Sequence, residues 1–224
     1  MQKTGILGGG QLGRMLLQAA ANYPVETFVM ENDAECPAAH LCHHFIKGDI
    51  RDFNDVYNFG KHLDAVTIEI ESVNEKALAK LESEGVKIYP KPSALSIIKN
   101  KILQKQFYVS INVPSPSFTI TQNKNEIRHH QGFLPGVHKI AMGGYDGRGV
   151  IVIKDDKDII NAFDAPAILE KLIDIKKEIS LIVAINDAGE TALYPPAEMI
   201  FNKVLNLLQY QLSPAAIEEN SKPC

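Results

Sequence analysis

The chain has 224 residues, which is the length of one large domain or two small ones. Hydrophobic residues make up 45% and charged residues 22%, and a formal net charge of −4 does not indicate a nucleic-acid or membrane-surface binder. No apolar run approaches the ~18 residues of a membrane span, and the first three residues enter an apolar stretch without a signal-peptide pattern. We therefore expect a cytoplasmic protein in which Cys36, Cys42 and Cys224 are free thiols.

The first elements predicted along the chain are a strand at residues 4–7, a glycine turn at 8–13 and a helix that follows it. This order is typical of the first unit of a doubly wound α/β sheet. Further strands are predicted at residues 25–30, 45–46, 65–70 and 86–89, and helices at 52–63 and 75–84. Because strands alternate with helices, we expect a parallel sheet with right-handed crossovers, ending near Pro90 and Pro92.

The glycine turn has the spacing G-x-G-x-x-G at residues 8–13, and Glu31 follows about 20 residues later at the end of the second strand. This pattern fits a dinucleotide fingerprint, so an NAD-dependent dehydrogenase is one hypothesis. Polar Gln11 and basic Arg14 stand where such sites usually have small or apolar residues, which weakens that hypothesis. A helix N-terminus holds an anion through its free N–H groups, but the glycines do not determine which phosphate is bound.

The loop at residues 32–44 carries cysteines and histidines, which raises the hypothesis of a zinc site. The spacing C-x5-C-H-H that begins at Cys36 is not a standard tetrahedral pattern, and no second pair of ligands follows it. We therefore expect a partly buried loop here, and no metal ligands in this chain.

The second half of the chain begins with residues 93–110, predicted to form one helix that is capped by Ser93 and carries Lys101. An extended connector with two prolines follows at residues 111–116. Helices are then predicted at 122–131 and 155–165, strands at 136–140, 150–153, 191–194, 197–201 and 205–213, apolar segments at 167–173 and 177–184, and a turn at 187–190.

A glycine-rich loop joins the strands predicted at residues 136–140 and 150–153. It has four glycines within residues 143–149 and is longer than a tight turn needs. Glycine lets the backbone approach a ligand closely and point N–H groups at it. Lys139 lies on the strand that enters the loop and would add a positive charge for a phosphate. With Asp146 and Arg148 inside the loop, these features favour a phosphate site over a surface hairpin.

The sequence GGYDGRG after a strand lysine resembles the phosphate-covering loop of the ATP-grasp enzymes. Within that superfamily it is similar to the 5-(carboxyamino)imidazole ribonucleotide synthetases of bacterial and fungal purine synthesis. The opening turn GGGQLGRM is similar to the turn in their first domain, which helps to bind the ribonucleotide substrate. The resemblance runs from Gly5 to about Glu219. It implies a Rossmann-like pre-ATP-grasp domain at residues 1–92 and an incomplete α+β ATP-grasp domain at residues 93–224.

The resemblance also implies which residues bind ATP. Lys101 and Lys139 would neutralise the phosphates, and the glycine-rich loop would close over them. Glu170 matches the acid of the hinge on which adenine rests, and Glu178 matches the acid that accepts hydrogen bonds from the ribose hydroxyls. Phe201 departs from the pattern, because many relatives have a histidine there. The implied ATP-binding residues are Lys101, Lys139, Gly144, Tyr145, Asp146, Gly147, Arg148, Gly149, Glu170, Lys171, Leu172, Ile173 and Glu178.

Other residues are implied to act on the substrate. Within the glycine-rich loop, Tyr145, Asp146 and Arg148 would face the substrate as catalytic residues. The implied substrate-binding residues are Gly10, Gln11, Leu12 and Glu71. From the residues alone, Glu71 could equally be a solvated strand end, and Lys101 a lysine on a solvated helix face.

The implied reaction of the full-length enzyme is the ATP-dependent carboxylation of 5-aminoimidazole ribonucleotide with bicarbonate, in de novo purine (IMP) biosynthesis. Members of this family hold two Mg²⁺ ions through a C-terminal segment whose motifs are not found in these 224 residues. We therefore expect this chain alone to have little or no ligase activity and to aggregate more readily than a longer one. Relatives are often dimers, so a homodimer of the full-length protein is a further hypothesis.

Three alternative functions stay open on sequence grounds. Another ATP-grasp ligase would keep the nucleotide-binding residues and change the pocket of the first domain. An NAD-dependent dehydrogenase would use the turn at residues 8–13 but would leave the loop at 143–149 without a purpose. The chain could also be a fragment that binds a nucleotide without catalysis.

Overall fold

A parallel β-sheet forms the first part of the chain in the computed structural model, which describes residues 1–144, 148–202 and 207–212. Its strands are β1 (Gln2–Leu7), β2 (Val25–Glu31), β3 (His44–Lys47), β4 (Ala65–Ile68) and β5 (Lys87–Tyr89). They lie in the order β3-β2-β1-β4-β5, so that β1 is central and its Ile6 pairs with Val29 on one side and Thr67 on the other. This arrangement confirms the predicted doubly wound sheet.

Helices connect the parallel strands, and the second and third of them begin at residues whose side chains cap the helix. They are α1 (Gln11–Ala20), α2 (Phe53–Gly60) and α3 (Glu75–Ser83). The Asp52 side chain accepts hydrogen bonds from the N–H groups of Asn54 and Asp55 at the start of α2. The Asn74 side chain accepts from Ala77 N–H at the start of α3. These caps satisfy N–H groups that have no partner within the helix.

Apolar residues are buried on both faces of the parallel sheet. The larger core includes Leu7, Met30 and Val66 of the strands together with residues of α2 and α3. A smaller core on Ile6 and Val29 packs against α1 and the loop that follows β2. Burial on both faces explains why these strands read as continuous apolar runs in the sequence.

Two helices, not one, follow the parallel sheet, so the prediction of a single helix over residues 93–110 is wrong. They are α4 (Pro92–Lys99) and α5 (Lys101–Ser110). Asn100 breaks the run, because its backbone is extended (φ −119°, ψ 110°) and its side chain caps α5 by accepting from Ile102 and Leu103 N–H. The predicted cap at Ser93 is also wrong, since Pro92 already occupies the first turn of α4.

An antiparallel sheet follows these helices. Its strands are β6 (Phe118–Thr121), β7 (Gly136–Ile140), β8 (Val150–Ile153) and β9 (Ala167–Lys171), in the order β6-β9-β7-β8. The hairpin of β7 and β8 confirms the strands predicted on either side of the glycine-rich loop, and Lys139 pairs with Val150. A core on Ile153 and Leu169 packs this sheet against its connecting segments.

The α-helices predicted at residues 122–131 and 155–165 are replaced by 3₁₀ structure, which is wound more tightly, with about three residues per turn. The first is a 3₁₀ helix at Lys124–Phe133, interrupted at His130 by a non-helical backbone. The second reduces to a single 3₁₀ turn at Asp158–Asn161. Here Asp155 accepts from Lys157 N–H through its side chain, and such local bonds compete with an α-helix.

By its internal contacts the chain divides into two units, Met1–Leu172 and Ile173–Cys224. The second unit contains β10 (Glu178–Ser180), β11 (Val183–Ile185), β12 (Thr191–Leu193), β13 (Ala197–Asn202) and β14 (Leu207–Leu212). An antiparallel sheet has the order β10-β13-β14, and β11 and β12 form a separate hairpin. The apolar segment at 177–184 thus contains one strand and the start of another, in different sheets. The domain boundary near residue 92 stays a prediction.

The cysteines that the structure describes are free, with Cys36 buried and Cys42 half-buried, which agrees with the expected free thiols. Burial raises the pKa of the Cys42 thiol above its ordinary value. Cys224 lies outside the described residues. None of the described helices has the length and apolar composition required to cross a membrane.

Candidate functional site

A cleft of about 450 Å³ lies between the helices α4 and α5 and the segment that leaves β7. It brings together three parts of the chain to which the sequence assigned a role, namely Glu71, Lys101 and the start of the glycine-rich loop at Gly144. Glu71 is exposed in this cleft and Lys101 is half-buried. The lining residues are Glu71, Ser72, Ile98, Lys99, Lys101, Gln104, Ile140, Ala141, Met142, Gly143 and Gly144.

Lys101 is held at the cleft by its own backbone. It is the first residue of α5, directly after the capping residue Asn100. Its N–H group donates to the carbonyl of Ala141, at 2.8 Å, and Ala141 in turn donates to the carbonyl of Pro166, at 2.9 Å. The start of α5 is therefore tied to the residue that leads from β7 into the glycine-rich loop.

The two ends of the glycine-rich loop lie against each other. Ile140 N–H donates to the carbonyl of Gly149 at 2.9 Å. A Cβ on Gly149 would lie 2.9 Å from the Cα of Gly144 and 2.6 Å from Ile140 Cγ2, so a side chain there would displace one of them. Gly149 also has a positive φ of 85°, which favours glycine. The geometry therefore requires glycine at the end of this loop.

The remaining loop residues carry several of the predicted roles. Arg148 is exposed at the end of the loop. Tyr145, Asp146 and Gly147 lie outside the described residues, so their predicted roles stay predictions.

Lys139 on β7 contacts Glu170 on the neighbouring strand β9. Its ammonium group lies 2.5 Å from Glu170 Oε2, while Lys105 of α5 lies 2.9 Å from Oε1 of the same carboxylate. Burial raises the pKa of Glu170, but the hydrogen bonds and charges of Lys139 and Lys105 lower it more, so that it lies below its ordinary value. The carboxylate is therefore charged at neutral pH and is enclosed by two cations.

Lys105 was given no role from the sequence. The one signal that could have identified it is its position four residues after Lys101 on the predicted helix. Its partner Glu170 is distant in the sequence, so their contact becomes evident only when β9 and α5 are placed together.

The hinge predicted at residues 170–173 spans the end of β9 and the start of the second unit. Lys171 N–H donates to the carbonyl of Ser117 at 2.9 Å, and Leu172 N–H donates to the carbonyl of Pro135 at 3.1 Å. Both side chains are exposed, as is Ile173. The backbone before Ile173 is thus anchored by the first unit.

Two carboxylates accept hydrogen bonds from the glycine turn after β1. Gly9 N–H donates to Glu31 Oε2 at 3.1 Å, and Gly10 N–H donates to Glu69 Oε2 at 3.4 Å. A Cβ on Gly10 would lie 2.6 Å from Glu69 Oε1, so the Glu69 carboxylate would have to move to admit a side chain at Gly10. Glu69 was not identified as a site residue from the sequence, although it begins the acidic run that contains Glu71. Gln11 and Leu12, at the start of α1, are exposed beside this turn.

Glu178 and Phe201 lie in the second unit. Glu178 is exposed at the start of β10 and pairs with Met199 of β13. Phe201 pairs through its backbone with Leu208 of β14, and its side chain lies outside the described residues. Across residues 1–144, 148–202 and 207–212, no group of three or more His, Cys, Asp or Glu side chains could hold a metal ion. The loop at 32–44 is included in this statement.

Known proteins match the chain over both of its predicted parts. Residues 1–99 match the ribonucleotide synthetase pre-ATP-grasp domain, and residues 106–223 match the ATP-grasp domain. The N5-carboxyaminoimidazole ribonucleotide synthase of Brucella melitensis is 34% identical over 221 residues, covering 95% of this chain and 60% of that protein. The synthetase from Thermotoga maritima has a TM-score of 0.80 at 33% identity, covering 88% of this chain and 53% of its own. The Aspergillus clavatus synthase, solved with ADP and 5-aminoimidazole ribonucleotide, has a TM-score of 0.79 at 29% identity, covering 90% and 54%.

The chain spans about half the length of the curated relatives and solved chains that it matches. The matches confirm the predicted order of a pre-ATP-grasp domain followed by an ATP-grasp domain. They also confirm the predicted similarity to carboxyaminoimidazole ribonucleotide synthetases. Since the ATP-grasp match at residues 106–223 covers more than half of the chain, this protein belongs to the ATP-grasp family.

Proposed function

We propose that the full-length protein carboxylates 5-aminoimidazole ribonucleotide with bicarbonate at the expense of ATP. The observation that carries this proposal is the cleft in which Lys101 and Gly144, on the nucleotide side, meet Glu71, on the substrate side. The named relatives support the choice of substrate, since one of them was solved with ADP and 5-aminoimidazole ribonucleotide.

The reaction has two steps in this proposal. A bicarbonate oxygen attacks the γ-phosphorus of ATP, which forms carboxyphosphate and releases ADP. The exocyclic amine of the ribonucleotide then attacks the carboxyl carbon, which forms the C–N bond of the carbamate and expels inorganic phosphate. Mg²⁺, when bound, would neutralise charge on the transferred phosphoryl group. The described residues contain no group of three or more His, Cys, Asp or Glu side chains that could hold it, and its ligands are proposed to lie in a C-terminal segment that the longer relatives have.

Nucleotide binding is proposed for both lysines and for the hinge. Lys101 and Lys139 would donate to phosphate oxygens, and Gly144 and Gly149 would let the loop backbone approach them. The hinge at residues 170–173 would hold adenine. Glu178 would accept hydrogen bonds from the ribose hydroxyls, which a carboxylate can do through both of its oxygens.

Substrate binding is proposed for the first domain. Gly10, Gln11, Leu12 and Glu71 would contact the ribonucleotide from the carboxyl ends of β1 and β4, where ligands of open α/β sheets bind. Three loop residues are proposed to complete the site as catalytic groups that face the reacting atoms, and they are Tyr145, Asp146 and Arg148.

The dehydrogenase hypothesis is not favoured by the geometry of the glycine turn. A dinucleotide would place its pyrophosphate on the N–H groups of this turn. Glu31 and Glu69 already accept hydrogen bonds from Gly9 and Gly10 and would repel that phosphate. Another ATP-grasp ligase stays an alternative, and the ligand of the first domain would distinguish the two.

Further parts of the proposal concern the setting of the enzyme. We propose that it acts in the cytoplasm on small molecules, with no nucleic-acid or membrane partner. A homodimer of the full-length protein is proposed from the resemblance alone. The 224-residue chain is expected to have little or no ligase activity by itself.

The binding experiment is a calorimetric titration of this chain with a non-hydrolysable ATP analogue and magnesium, and separately with NADH. Binding of the analogue that is lost in Lys139→Ala would support the proposed nucleotide site. Binding of NADH that is lost in Gly10→Val but kept in Lys139→Ala would support the dehydrogenase instead.

The activity experiment uses the full-length protein and measures phosphate release from ATP and bicarbonate. Release that depends on 5-aminoimidazole ribonucleotide would support the proposed reaction. Release that depends on a different acceptor amine or acid would support another ATP-grasp ligase.

A further inference from the structure

Lys105 is buried next to the proposed phosphate site, and its ammonium group is fully engaged by the protein. Its side chain is 4% exposed. It donates to Glu170 Oε1 at 2.9 Å, to Ser115 Oγ at 2.7 Å and to the carbonyl of Pro116 at 2.9 Å. An ammonium group has three N–H donors, so each has an acceptor. Lys105 therefore has no donor left for a ligand and cannot be a direct phosphate contact in this arrangement.

Glu170 divides its two carboxylate oxygens between two lysines. Lys105 contacts Oε1 and Lys139 contacts Oε2, and the side chain of Glu170 is 8% exposed. Among the residues that the structure describes, Glu170 is the one polar partner of the Lys139 ammonium group, whose side chain is 30% exposed. Within this described part of the chain, two N–H groups of Lys139 therefore have no acceptor, and the three side chains together carry one net positive charge.

We propose that Lys105 is a positioning residue that neutralises Glu170 and so keeps the positive charge of Lys139 available to a polyphosphate. The inference rests on the proposed function, in which Lys139 binds nucleotide phosphates. Without Lys105, the buried carboxylate has Lys139 as its one cation, and a buried charge without compensation is strongly unfavourable. Lys139 is then drawn onto both carboxylate oxygens, and the remaining pair is neutral.

A purely structural role for Lys105 makes different predictions. Through Ser115 and Pro116 it also joins α5 to the connector that enters β6. If that were its whole role, its loss would lower stability, and removal of the Glu170 charge would not make the Lys139 ammonium group more available to a ligand. The two roles are therefore separated by a double-mutant cycle on Lys105 and Glu170.

The first experiment measures the reactivity of Lys139 without any ligand. The chain is reductively methylated with formaldehyde and borohydride, and the rate at Lys139 is read by peptide mass spectrometry. We expect Lys105→Met to slow methylation of Lys139 at least about threefold, because its ammonium group is drawn onto the buried carboxylate. In Lys105→Met/Glu170→Gln the rate returns to that of the wild type or above it.

The second experiment measures binding of inorganic tripolyphosphate by calorimetry at low ionic strength. We expect Lys105→Met to weaken binding roughly tenfold, the scale of one charge-assisted hydrogen bond. The double variant is expected to return to within about threefold of the wild type, since its net charge at the site is again one positive. Lys157→Met removes an exposed lysine elsewhere in the same unit and is expected to change neither measurement.

Each outcome supports or overturns the inference. The inference would be overturned if Lys105→Met left the methylation rate of Lys139 unchanged. It would also be overturned if the double variant lost as much of the methylation rate and of tripolyphosphate binding as the single variant. If Lys105→Met does not fold, Glu170→Gln alone decides, because the inference requires faster methylation of Lys139 there and an unchanged rate contradicts it. A wild-type chain that does not bind tripolyphosphate would refute the proposed phosphate site, while the methylation rates would still decide the role of Lys105.

Discussion

The backbone N–H of Lys101 donates to the carbonyl of Ala141 at 2.8 Å, which joins the first residue of α5 to the residue that follows β7. One lysine of the proposed phosphate site thus lies at a helix start and is tied to the strand that carries the other, Lys139. Two sequence-distant segments are held at a fixed spacing by main-chain atoms. A ligand that binds both lysines would therefore find them already arranged, which lowers the ordering that binding requires.

This arrangement depends on Asn100, which caps α5 through hydrogen bonds from Ile102 and Leu103 N–H. We expect Asn100→Ala to lower the free energy of unfolding by about 1 kcal/mol, because the helix loses its side-chain cap. Nucleotide affinity should fall as well, since Lys101 is the next residue. Urea unfolding and calorimetry measure the two effects.

Gln106 provides the matched control for this cap, because it is exposed on the same helix. Gln106→Ala should change the unfolding free energy by less than about 0.5 kcal/mol. If Gln106→Ala lowered the unfolding free energy as much as Asn100→Ala, the cap would have no special role in stability.

The end of the glycine-rich loop should not tolerate a side chain. A Cβ at Gly149 would lie 2.6 Å from Ile140 Cγ2, and the residue has a φ of 85°. We expect Gly149→Ala to destabilise the chain by roughly 1–2 kcal/mol through strain at positive φ, and to weaken binding of the ATP analogue. Thermal unfolding and calorimetry provide the measurements.

Gly132 is the comparison for this substitution, because a Cβ there would meet nothing within 4 Å and its φ is not positive. Gly132→Ala should leave stability and analogue binding close to those of the wild type. Equal losses of stability and analogue binding in both variants would indicate that the tight contact at Gly149 is unimportant.

The parallel sheet and the β7–β8 hairpin were predictable because their signals are local. Continuous apolar runs between helical segments indicate buried parallel strands, and the glycines at residues 8–13 and 143–149 indicate the turns. The break at Asn100 was missed because apolar residues continue on both sides of it. An asparagine in such a run is ambiguous until its side chain is seen to cap the second helix.

The contacts within the candidate site could not be read from the sequence. Lys105, Lys139 and Glu170 lie on three separate elements, and pairing between distant residues is not encoded in local periodicity. The glycine fingerprint suggested a phosphate, while Glu69 was seen to face the turn only once β4 was placed beside β1. The sequence thus predicted which segments would carry the candidate site, and the tertiary structure shows which partners each described side chain contacts.

The β11–β12 hairpin exposes an apolar face that should promote aggregation. Val183 pairs with Leu193 across the two strands, and Ile185 lies two residues further on the same face. Ile185 is 66% exposed and Leu193 is 68% exposed. Because a contiguous apolar surface promotes association, we expect Ile185→Lys to raise the concentration at which the chain aggregates, as measured by light scattering.

Ile160 tests whether the aggregation depends on this hairpin, since Ile160 is 72% exposed and belongs to the first unit. Ile160→Lys should have a smaller effect on aggregation than Ile185→Lys. If both substitutions act equally, general hydrophobicity and not the hairpin face is responsible.

Buried His138 should make the stability of the chain depend on pH. Its Nδ1 accepts from Phe163 N–H at 3.4 Å, so the proton lies on Nε2, which donates to Thr121 Oγ1 at 3.0 Å. Burial lowers the pKa of His138 below its ordinary value of 6.5. The unfolded chain therefore binds this proton more readily than the folded one, and the stability from neutral His138 is present above about pH 6.5 and is lost as the pH falls.

Urea unfolding at a series of experimental pH values between about 7.5 and 5 tests the sign of this pH dependence. The wild type should lose stability on acidification by up to about 1.4 kcal/mol per pH unit more than His138→Gln, the slope expected for one proton. His129 is exposed, so His129→Gln should retain the wild-type slope. Parallel slopes for the wild type and His138→Gln would show that His138 is protonated equally in the folded and unfolded chain and that burial does not lower its pKa.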